Sequence, residues 1–96
     1  MDIKSLLQQG RAIWGERLNL NQIIIRLGKI FGDLCRWERD ATIDQPSHND
    51  QELKKELGNV IFSTIRWCDD LGYDPEECVN LAIDAQRKFK QDNPKN

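Results

Sequence analysis

Apolar residues return along this chain every three or four positions, not every second one, which is the period of buried helix faces. Over residues 20–40, Ile23, Leu27, Ile30, Phe31, Leu34 and Trp37 share one side of a predicted helix. Over 49–71 the same period links Leu53, Leu57, Val60, Ile61, Thr64, Trp67, Cys68 and Leu71. Asn49, with Glu52 three residues on, supplies that helix with an N-cap. A first helix is expected over 3–17, with Leu6, Leu7, Ile13 and Trp14 as its apolar members and Gly10 and Gly15 weakening it. The stretch LGYDPEE introduces the last one: Gly72 ends the third helix, Asp74 caps the fourth, Pro75 suits its first position and Glu77 completes a capping box. That helix is expected to run to about Lys90, burying Cys78, Leu81, Ala82, Ala85 and Phe89, with the tail QDNPKN frayed. ATIDQPSHN (41–49) reads as a connection around Pro46. No segment alternates like a strand. The expectation is one all-α domain over 1–96, resembling a four-helix bundle, with 20–40 and 49–71 as an antiparallel hairpin.

Ninety-six residues give only a modest core, so an apolar face stays open unless copies associate as a homodimer or a higher homo-oligomer. Charged residues are 31% of the chain and the net charge is −2, which offers no basic field for nucleic acid. No apolar run approaches the roughly 20 residues that span a bilayer, and MDIKSLLQQGRAIW lacks the apolar core of a secretion signal. A cytoplasmic protein without a membrane partner is expected. Cys35, Cys68 and Cys78 have neither disulfide nor zinc spacing and read as buried thiols, while His48 reads as a solvated residue of the connection.

Two helical segments carry an unfavourable pair, Gly32-Asp33 and Gly58-Asn59. A glycine inside a helix costs about 1 kcal/mol relative to alanine, so each suggests either a close approach to the backbone or the trace of a site. A polar stripe runs beside the apolar seam: Arg26, Lys29, Asp33 and Asp40 on one helix, Glu52, Glu56, Asn59 and Ser63 on the other. Antiparallel pairing sets Asp33 level with Glu56 or Leu57, and Ile30 near Asn59 or Val60. Converging carboxylates repel, and a hard cation, a shared proton or an ammonium relieves them. The competing reading is a structural ion-pair network, with Lys29 and Arg26 against Glu56 and Glu52.

The segments LGKIFGDL (27–34) and ELGNV (56–60) resemble the two acidic motifs of the MazG-like all-α nucleotide pyrophosphohydrolases, and RWCDDLGYDPEE resembles that family's passage into its fourth helix. The likeness covers roughly residues 20–90. It implies a helical bundle that assembles, binds Mg²⁺ through acids and cleaves a nucleoside triphosphate to monophosphate and pyrophosphate, a house-cleaning reaction. Carried over residue by residue, it places Asp33 and Glu56 as catalytic acids and metal ligands, Asn59 as an amide where the family has a carboxylate, and Glu52 as a substitute ligand one turn away. Lys29 and Ile30 replace the two leading acids of the first motif. A lysine and an asparagine that the family offers to phosphate fall at Leu81 and Ala85, leaving Arg87 and Lys88 nearby. With Lys29, these are the candidate substrate contacts. So few acids imply weak or absent magnesium binding, with Lys29 taking part of the metal's charge. Three functions follow: a divergent pyrophosphohydrolase, an inactive nucleotide-binding module, or a helical assembly protein in which Trp14, Trp37 and Trp67 are interface anchors.

Overall fold

Each helix of the computed structural model starts beside a short polar side chain that holds a free amide of the first turn. The structure describes residues 1–40 and 48–94, apart from the side chain of Asp40; the expected connection around Pro46 lies outside the described residues. In α1 (Ile3–Ile13) the Asp2 carboxylate accepts from the Ser5 amide at 2.8 Å. Before α2 (Leu20–Asp40), Asn19 and Gln22 exchange side-chain and backbone hydrogen bonds of 3.0 Å, a reciprocal box that the apolar pattern does not reveal. Asn49 opens α3 (Asp50–Asp70), its side chain accepting from the Glu52 amide at 2.9 Å. Asp74 opens α4 (Pro75–Asp92) by accepting from the Glu76 amide at 3.0 Å, with Pro75 in the first turn.

The helix ends differ more from expectation. α1 stops at Ile13, four residues before Arg17, because Trp14 is extended and the chain crosses toward the end of α3, where the Leu18 amide donates to Asp70 at 3.1 Å. α3 closes with paired reverse bonds, Tyr73 N–H to the Cys68 carbonyl and Gly72 N–H to that of Asp69, both 2.9 Å. Gly72 has φ of 80°, the left-handed turn that this closure requires. α4 persists through Asp92, so the first two residues of the expected frayed tail are helical, and the Asn93 side-chain amide donates to the Phe89 carbonyl at 3.0 Å.

α3 is the shared wall. It packs against α2 and α1 and, more sparingly, against α4. Among the described residues, Ile23 and Trp67 are the buried hydrophobic ones, each 3% exposed. Several expected core positions are open instead: Phe31, Leu57 and Ile61 on α2 and α3, and Leu81, Ala82, Ala85 and Phe89 on α4. The apolar period correctly groups these residues, but nothing within the described chain covers them. The radius of gyration, 16.0 Å, also exceeds the roughly 13 Å of a compact 100-residue domain. Cys35 is exposed, contrary to the buried-thiol expectation, and Cys68 and Cys78 are half-buried. Burial, then a hydrogen bond with Cys78, pushes the Cys68 thiol up to about 11, which places the start of α4 against the end of α3.

The glycines divide into two kinds. Gly58 and Gly32 have nothing within 4 Å of an added Cβ, so neither marks a close approach. Gly10 does: a Cβ there would meet Arg66 Cδ at 3.3 Å, so its absence lets α1 lie on the arginine stem. Gly58→Ala is therefore expected to raise unfolding free energy by up to about 1 kcal/mol, and Gly72→Ala to lower it by about the same amount. Urea unfolding followed by circular dichroism checks both signs.

Candidate functional site

The α2–α3 pairing is fixed near the connection by the Trp37 indole, which donates to the Asn49 carbonyl at 3.1 Å and stacks on His48 with ring centroids 4.0 Å apart. His48 is thus a half-buried packing partner rather than the solvated residue expected. Farther along the pair, Arg36 influences the charge of Lys55, and Arg26 that of Arg66.

Asp33, Glu52 and Glu56, the described carboxylates along this edge, each have a cation beside them. Asp33 pairs with Arg36 at 3.3 Å on its own helix. Lys55 serves two acids, Glu52 at 2.7 Å and Glu56 at 3.8 Å. The hydrogen bond to Glu52, then the charge of Glu52, raises the Lys55 pKa, so its ammonium persists across the neutral range. Glu56 is buried at 8% exposure, and its Oε2 has no hydrogen-bond partner. The neutralising cations are therefore Lys55 and Arg36, not the Lys29 and Arg26 expected from the stripe. Lys55 was legible only as a neighbour in an i,i+3 pair, because helical period alone does not show which way a long side chain bends.

The remaining expected site residues are scattered. Lys29 and Asn59 are exposed and Ile30 is half-buried; Lys29 makes no ion pair with a described residue. Arg87 pairs with Asp84 at 3.8 Å on the exposed side of α4, and neither Arg87 nor Lys88 forms an ion pair with Asp33, Glu52 or Glu56. Among the described residues, no three His, Cys, Asp or Glu side chains form a group able to hold a metal ion. The donor set does not fit a magnesium centre as it stands. Asp33 and Glu52 are already matched by cations, which leaves the free Oε2 of Glu56 as a single uncommitted buried carboxylate oxygen.

A second polar cluster, which the sequence reading missed, occupies the other end of α3. Arg66 is buried at 8% exposure, with its guanidinium 5.0 Å from the ring centre of Trp14 and 5.6 Å from that of Trp67. Burial lowers its pKa, and the charge of Asp70 acts in the opposite direction. Arg11 grips Asp69 with contacts of 2.7 and 2.8 Å. The available signal was RWCDD, where an arginine sits between the apolar Ile65 and Trp67.

No family model, no curated protein and no solved structure matches the chain.

The ion-pair edge has a consequence for stability. Glu56 buries a charge held only by a 3.8 Å contact, so Glu56→Gln is expected to leave unfolding free energy unchanged or raise it by about 1 kcal/mol. Denaturant titration at neutral pH measures it; a loss of several kcal/mol would show that the carboxylate is a structural necessity.

Proposed function

We propose that this protein is a divergent member of the MazG-like nucleoside triphosphate pyrophosphohydrolases, with a magnesium site eroded into an ion-paired cluster. The observation that carries this reading is Glu56: a buried carboxylate with an unpartnered oxygen, on the motif ELGNV, in a helix whose partner carries GDL. A purely structural edge has little use for such a group, because it bears desolvation without full compensation. On this reading Asp33 and Glu56 are the remaining acids of the hydrolytic site. Glu52 and Asn59 stand at its margin, Lys29 faces the phosphates from α2, and Arg87 and Lys88 provide outlying positive charge. The reaction class is cleavage of a nucleoside triphosphate to monophosphate and pyrophosphate. Ile30 and Asn59, in place of acids, set the deficit in metal affinity.

Restoring the missing carboxylates provides the test. Ile30→Glu together with Asn59→Asp is expected to tighten magnesium binding at least about tenfold by adding two hard oxygen donors, and to increase pyrophosphate release from nucleoside triphosphates. Unchanged magnesium affinity in a folded double variant would refute the eroded site. Rapid pyrophosphate release by the native chain, with magnesium or manganese, would instead show that the site is intact.

A second reading is favoured by a different observation. Phe31, Leu57, Ile61, Leu81 and Phe89 are all exposed beyond 45%, although they stand at the positions where helical periodicity calls for a covered face. This supports a helical assembly protein, acting as a homodimer or higher homo-oligomer, with or without retained nucleotide binding. Light scattering is expected to give at least a dimeric mass, and Leu81→Glu to lower it; a monomer at all concentrations would remove this reading.

A further inference from the structure

The cleft between the end of α1 and the end of α3, taken with a recess beside it, is lined by four arginines and three acids. Its volume is about 380 Å³, and its walls carry Arg11, Arg17 and Arg66 together with Glu16, Asp69 and Asp70. A smaller adjoining recess adds Arg26 beside Arg66 and Trp14. Two of the three acids are committed: Asp69 is held by Arg11 through both carboxylate oxygens, and Asp70 accepts from the Leu18 amide, while Glu16 makes no ion pair with a described residue. Arg17, Arg26 and Arg66 make no ion pair with any described residue.

Arg66 is the most informative of the three. It is more than nine-tenths buried, its Nε has no hydrogen-bond partner, and its charge rests on the faces of Trp14 and Trp67. Aromatic faces compensate a desolvated guanidinium only in part, since a cation–π contact leaves the N–H donors unfilled. Asp70 favours the charge on Arg66, and Arg26, a like charge across the recess, works against it more weakly. An anion between the two arginines relieves both costs, and guanidinium forks match the spacing of phosphate oxygens.

We propose that this cleft is a binding site for a small tetrahedral oxyanion of the phosphate class, seated by Arg66, Arg26 and Arg17. The site lies ten residues along α3 from Glu56, roughly 15 Å at 1.5 Å per residue, and it does not depend on the metal-site reading. Trp14 supplies the floor under Arg66, and Gly10 permits it by letting α1 settle on the arginine stem.

Calorimetric titration of the full chain with inorganic phosphate, at constant ionic strength, tests the proposal. The expected result is saturable binding of one phosphate per chain, weakened about tenfold in either Arg26→Gln or Arg17→Gln, the scale of one lost charge-assisted contact. Both positions are exposed, so these variants avoid the folding risk of altering Arg66. Lys4→Gln removes the same charge from the far end of α1 and is expected to bind like the native chain. Absence of saturable binding, equal weakening in Lys4→Gln, or acetate binding as tightly as phosphate would each overturn the assignment.

Discussion

One helix must serve three neighbours while burying charge, and that constraint shapes the molecule. α3 faces α1, α2 and α4, and among the described residues the three buried side-chain atoms without a hydrogen-bond partner, on Glu56, Arg66 and Trp67, all belong to it. Toward its start the buried charge is negative and leans on Lys55; toward its end it is positive and leans on Trp14 and Trp67. Neither has a close ion pair, although each costs free energy to desolvate. The small apolar core, centred on Ile23 and Trp67, has to hold both.

Most of the fold was written in local chemistry. Asn49, Asp74, Pro75 and Gly72 each act at the helix boundary where their backbone preferences place them. The end of α1 was not legible, because it depends on the Leu18 amide reaching Asp70 across fifty-two positions of sequence. The fate of the α4 face was hidden for another reason. Periodicity says that Leu81, Ala85 and Phe89 share a side, and says nothing of whether the same chain covers it.

The site was legible as a place more than as a constellation. Asp33 and Glu52 are half-buried and Glu56 is buried, and the cations beside them are not the ones the stripe suggested. Arg36 and Lys55 reach back along their own helices, a choice made by side-chain flexibility and not by spacing. Arg66 escaped notice because an arginine amid apolar positions looks like an interruption of the pattern; in the structure its stem is packed beneath Gly10 and its head lies over aromatic rings.

The functional proposal therefore turns on charge substitution: on that reading, Arg36 beside Asp33 and Lys55 beside Glu52 and Glu56 take over the neutralising role of a divalent cation. The most direct test is calorimetric titration of magnesium into the native chain and into an Arg36→Gln, Lys55→Gln variant. The account predicts no saturable uptake by the native chain at ordinary concentrations, and measurable uptake once both cations are neutralised. Tight binding by the native chain, or equally absent binding in a folded double variant, would contradict it.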